Sequence, residues 1–209
     1  MSSVEQDKNE SQRMAYKSGP LIKELFMQVP ELFVKNDLII YPVEKNQQEI
    51  LKQLDYTCGI DYYVISKSSG AGVSLSWRAI KYKKTQYPNR GVYNAFSLRQ
   101  KRNNGTPEEK CELYKRKHSI QLGSTSPDYM AQLHYDPLDN DSLLSLAIAK
   151  TKDVYEAFDK GLYRECNPNN KNKEVYFFDV FWKKMKENGY KVYDWYRDES
   201  CTLTTFLDV

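Results

Sequence analysis

Two side chains stand where they could do chemistry together. Asp61 follows Gly59-Ile60 at the start of the apolar run Tyr62-Tyr-Val-Ile65, and Arg78 lies in Ser76-Trp77-Arg78 on the next such run. A carboxylate at the mouth of a strand, beside a strand with a polar face, can hold a divalent metal against a phosphate. The ion then neutralises developing charge and activates water. The plainer reading is a turn capped by Asp61, with Asp55 on a solvated helix end. Composition narrows the metal chemistry. Two histidines, His118 and His134, have no partner at ligand spacing, and Cys58, Cys111, Cys166 and Cys201 form no CxxC pair. Ser-His-Asp catalysis and His-rich metal sites have almost nothing to draw on, and zinc clusters lack their cysteine spacing. A metal site must be built from carboxylates, which points to Mg²⁺, Mn²⁺ or Ca²⁺. The scattered cysteines read as reduced thiols of a cytosolic protein.

A second constellation is basic and aromatic. Lys81, Lys83, Lys84, Arg90, Arg99, Lys101 and Arg102 are interleaved with Tyr82, Tyr87 and Tyr93. Cations beside aromatic rings suit phosphate neutralisation and base stacking; a solvated strand end and loop would use the same residues. The net charge of +3 permits nucleic-acid binding without demanding it. Lys115-Arg116-Lys117 reads as an exposed helix face, with Cys111, Tyr114 and His118 on the opposite stripe. His134 reads as structural, and Tyr176–Trp182 as core packing or, if exposed, a partner surface.

The elements that must position these groups follow from patterning. The spacing of Leu21, Ile22, Leu25, Phe26 and Val29 predicts a helix over 21–33, stopped or restarted at Pro30. Residues 1–18 are expected to be disordered or loosely docked, leaving 19–209 as a single α+β domain. Asp37–Pro42 is a short edge strand and Glu44–Leu54 a helix. Ile60–Ser66 and Val73–Tyr82 form a hairpin through the Gly-bearing loop 67–72. Period two places Ser76 and Arg78 on one face of the second strand, opposite Leu75 and Trp77. Val92–Arg99 would add a third strand, making an antiparallel meander. A helix from Thr106 to about His118 carries Glu112 and Arg116 at ion-pair spacing. Strands at 128–135 and 143–149, a helix 151–160 stopped at Gly161, and a helix or strand from Val175 complete the pattern. The expected fold is α+β: a mixed, mainly antiparallel sheet of five to six strands with helices packed on it. No run is apolar enough for a transmembrane helix, and the polar start carries neither a secretory nor a transit signal.

The order helix, Gly-Ile-Asp61-strand, hairpin, strand with Ser76-Trp77-Arg78 resembles the core of the PD-(D/E)XK nuclease superfamily, over about residues 44–100. That core, restriction-endonuclease-like, carries an Asp on one strand and an acid-x-Lys on the next. The resemblance implies Asp61 as metal ligand for Mg²⁺ or Mn²⁺ and Arg78 at the Lys position. Ser76 cannot replace the acid, and the high pKa of arginine bars it from acting as a base. Asp55 or Glu49 would then supply the absent ligand, or the site is dead. Similar arrangements occur in phage and mobile-element proteins, which implies a cytoplasmic protein, in the host cytosol if phage-encoded. Two functions stay open: a protein that binds DNA, RNA or a host defence protein without catalysis, and a Mg²⁺-dependent nuclease centred on Asp61.

Overall fold

The computed structural model describes residues 3–30, 32, 37–43, 58–82, 94–102, 111–166 and 175–197. Helix α1 (Ser3–Phe26) precedes the strands β1 (Leu38–Pro42), β2 (Tyr62–Ser66), β3 (Gly72–Lys81) and β4 (Ala95–Arg102). Helix α2 (Glu112–Gln121) leads to β5 (Tyr129–Asp136), β6 (Ser142–Lys150) and helix α3 (Thr151–Asp159). Strands β7 (Tyr163–Cys166) and β8 (Val175–Phe181), the short helix α4 (Trp182–Glu187) and β9 (Val192–Tyr196) follow. Six strands form a mixed sheet in the order β1-β2-β3-β5-β6-β9, and β4-β8-β7 form a second, three-stranded sheet. Every pairing is antiparallel except β3 with β5, where Arg78 lies beside Gln132. The protein is thus α+β, with a mainly antiparallel sheet.

Strand alternation gives the larger sheet two faces. On one, Leu75, Trp77, Leu133, Tyr135, Leu146 and Ile148 pack against Met14, Ile22, Leu25 and Phe26 of α1. Phe26 meets Tyr129 edge to face at 5.5 Å. On the other face Met130, Ala147, Ala149 and Val192 meet Phe96, Leu98, Phe178 and Val180 of the smaller sheet, together with α3 and α4. The parallel β3–β5 seam is fastened at its start. Asp128 accepts the Ser74 N–H and hydroxyl, each at 2.7 Å, and its own N–H donates to Ser74 Oγ at 3.0 Å.

The hairpin β2–β3, the strands β5 and β6 and the helix stopped at Gly161 (φ +77°) stand where patterning placed them. Two features differ, and a third decides a choice the sequence left open. The first helix begins at Ser3, not Leu21, and Met14, Ala15 and Ser18 are buried against the sheet. Glu10, Arg13 and Lys17 hold this polar half to the sheet end through Lys81, Tyr135, Asp141 and the carbonyls of Asn140 and Asp141, contacts that hydrophobic periodicity does not register. Second, β4 does not extend the β2–β3 hairpin; it crosses to the second sheet and pairs with β8, where Phe96, Leu98, Phe178 and Val180 share a core. Third, Val175–Phe181 is a strand, and only Trp182–Glu187 is helical. The expected helix 44–54 and the Thr106 helix start lie outside the described residues.

Candidate functional site

Gly59 has a left-handed backbone (φ +67°), and a Cβ there would lie 2.5 Å from Arg116 Nη2. Turn and close approach both require glycine. The turn delivers Asp61 to the mouth of β2. Its N–H donates to Leu75 O and its C=O accepts from Val43 N–H, both at 2.9 Å, and its carboxylate accepts the Trp77 N–H at 2.6 Å.

Arg78 leaves the sheet on the face opposite Trp77. Its guanidinium donates to Ser97 O of β4 and to the Glu112 carboxylate. Glu112, in the first turn of α2, also faces Arg116 one turn later at 3.6 Å. Arg116 is only 7% exposed, and its Nη2 donates to Gly59 O at 3.3 Å. Arg99 adds a third positive charge acting on Glu112. The guanidinium carbons of Arg78 and Arg99 each lie 5.7 Å from the centre of the Phe177 ring. Burial opposes ionisation of Glu112, but Arg78, Arg116 and Arg99 outweigh it and hold the carboxyl below its usual range. Burial likewise works against the Arg116 charge, and the Glu112 and Asp61 carboxylates more than restore it.

Tyr155 of α3, 3% exposed, lies within the electrostatic field of Arg116, Glu112 and Arg78. Burial pushes its phenol up, so it is a neutral O–H donor. Among the described residues neither its hydroxyl nor Arg116 Nη1 has a hydrogen-bond partner. Among the described residues three guanidiniums therefore act on Glu112, and one of them, Arg116, also on Asp61.

A chain of buried hydrogen bonds runs on from Gln132, the neighbour of Arg78. Gln132 Oε1 accepts the Ser97 N–H at 2.8 Å, and its Nε2 donates to Ser97 Oγ and lies 3.3 Å from His134 Nε2. Ser97 Oγ and Cys166 Sγ both donate to Asp179, at 2.7 and 2.8 Å. His134 Nδ1 is 3.0 Å from Ser145 Oγ, which donates to Asn94 at 2.7 Å. Burial lowers His134 to about 3, so the ring is neutral, with Nδ1–H donating and Nε2 accepting. Burial and the Asp179 carboxylate push the Cys166 thiol up to about 12, which keeps it an S–H donor rather than a nucleophile.

The structure does not gather the sequence-predicted residues into one stripe. Asp61 and Arg78 lie near one another around Trp77, but each is engaged within the fold. Lys81 leaves the opposite face of β3 and pairs with Glu10 of α1 at 2.5 Å, and Tyr82 packs against Leu144. Arg99 sits with Arg78 beside Phe177. Lys83, Lys84, Arg90, Asp55 and Glu49 lie outside the described residues, as do the side chains of Lys101 and Arg102 on β4. Among the described residues no three His, Cys, Asp or Glu side chains gather to hold a metal ion. Arg116 corrects the exposed-face reading of α2: it is buried with Leu113, while Tyr114 and His118 face outward. The Glu112–Arg116 spacing was the signal for this, since an ion pair can turn an arginine inward. Tyr155 carried no such signal.

No helix among the described residues is long and apolar enough to cross a membrane. Comparison with family models and with curated proteins finds no match.

Proposed function

We propose that this is a nucleic-acid-associated binding protein that holds phosphate groups of DNA or RNA without cleaving them. The observation that carries this reading is the convergence of Arg78, Arg99 and Arg116 on Glu112, next to the Phe177 ring. Guanidiniums pair with phosphate in planar, bidentate fashion, and an aromatic ring between them offers a stacking surface. Binding is favoured over catalysis because the Asp61 carboxylate is engaged by the Trp77 backbone N–H. The resemblance to nuclease-like cores of phage and mobile-element proteins fits a cytosolic protein working on nucleic acid.

Fluorescence anisotropy with labelled single-stranded DNA, duplex DNA and RNA tests the reading. Affinity should fall steeply as salt rises, and Arg99→Gln should weaken binding and lower the salt slope by about one. No binding to any of the three at low salt removes the proposal. Binding that ignores salt turns the reading to an apolar contact with a host protein. Mg²⁺-dependent cleavage lost in Asp61→Ala replaces it with the nuclease.

A further inference from the structure

Between α1 and the first two strands lies a cleft of about 670 Å³, walled by Pro20 of the helix, Ile40 and Pro42 of β1 and Tyr62 of β2. It is on the α1 side of the larger sheet, where Trp77 packs, and so is separate from the arginine junction and from the function proposed above. Its room comes from Gly19, where a Cβ would meet nothing within 4 Å. The volume falls in the range of small-molecule sites, about 300–1,000 Å³. We propose that this cleft binds a small aromatic acid, with flat apolar rings between the prolines, Ile40 and Tyr62 and one carboxylate at Lys23.

The charge of the lining selects the anion. Lys17 and Lys23 border the cleft, and no carboxylate does. Lys17 Nζ donates to the carbonyls of Asn140 and Asp141, at 2.8 and 2.7 Å, which fixes its position and leaves its charge uncancelled. The Asp141 carboxylate pairs instead with Arg13, at 2.8 Å. The Lys23 ammonium has no hydrogen-bond or ion-pair partner among the described residues. It stands on a flexible apolar stem, which suits it to follow an anion at the rim.

The walls select the body. Proline has no N–H, so Pro20 and Pro42 offer no donor to the carbonyls of a peptide or to the edges of a nucleobase. A hydrocarbon ring needs no such donor. It gains from leaving water and from lying against Tyr62.

The test is fluorescence titration of the native full chain with two probes. One is anilinonaphthalene sulfonate, whose single negative charge stands for the carboxylate; the other is its uncharged parent, phenylnaphthylamine. The sulfonate should saturate one site. Lys23→Gln, at an exposed position, should weaken the sulfonate about threefold and leave the uncharged probe unchanged. Gly19→Leu fills the room and should abolish saturable binding of both. Naphthoate should displace the sulfonate, and adenosine monophosphate should not.

No saturable binding by the wild type overturns the proposal. So does a sulfonate affinity that survives both substitutions, which would put the probe elsewhere. Equal loss of the two probes in Lys23→Gln overturns the acid in favour of an apolar contact. Displacement by adenosine monophosphate as strong as by naphthoate overturns it in favour of a nucleotide. If Gly19→Leu fails to unfold cooperatively in urea, the split between the two probes in Lys23→Gln decides alone.

Discussion

Both faces of the six-stranded sheet bury apolar side chains, but only one also carries a buried polar set. Towards α1, Leu75, Trp77, Leu133 and Leu146 form an apolar layer whose strength scales with area removed from water. Towards the smaller sheet, Arg78, Gln132, His134 and Ser145 meet their neighbours through a directed set of hydrogen bonds and ion pairs. The first layer accepts any filling of the right volume. The second accepts one proton arrangement and one register, because a one-residue slip of β5 would carry Gln132 and His134 into the apolar layer. The candidate site lies on the second face, at its edge, where the polar set meets α2 and α3.

The sharpest way to break the contrast is Glu112→Ala. It leaves Arg78 and Arg116 without their shared carboxylate, and urea unfolding should show a loss of about 3–5 kcal/mol. Leu133→Ala, the matching change in the apolar layer, leaves a cavity at a fully buried position and should cost about 2–4 kcal/mol. Only the Glu112 loss should respond to salt. If the two variants share one salt dependence, the faces do not differ as described.

Acid separates the faces next. His134 is neutral when folded, with its pKa lowered from 6.5 to about 3, so the unfolded chain binds the extra proton between those values. Stability present above pH 6.5 is therefore lost as pH falls towards 3, at about 1.4 kcal/mol per unit at most. His134→Gln should flatten that slope relative to wild type; an unchanged slope would assign the acid sensitivity to carboxylates alone.

The smallest expected effect is Gly59→Ala. Its left-handed backbone and the contact with Arg116 should together cost about 1–2 kcal/mol in urea unfolding. A neutral result would mean that Arg116 yields easily, and would loosen the junction with α2.

What patterning could see was local. The hairpin loop with Gly70, the alternation that puts Arg78 opposite Trp77, and the Gly161 stop each follow from a few consecutive residues. What it missed depends on distant partners. The departure of β4 from the sheet is decided by Phe178 and Val180, far along the chain. The docking of residues 10–18 is decided by Lys81, Tyr135 and Asp141. Asp61 and Arg78 were legible as chemistry-bearing residues, whereas the Glu112–Arg116–Tyr155 grouping joins two helices that nothing in the local sequence ties together.

The parallel seam between β3 and β5 also sets an order of assembly. The hairpins β2–β3 and β5–β6 each close through short connections, whereas the seam must await the return of all the chain between Lys81 and Tyr129. Contacts of such separation form slowly, because loop closure must be completed before they are rewarded. The two hairpins are therefore early structures, and their joining is the slow event. The arginine junction spans that join, with Arg78 on one side and Tyr155 on the other, so the site comes into being only as the last of the fold does.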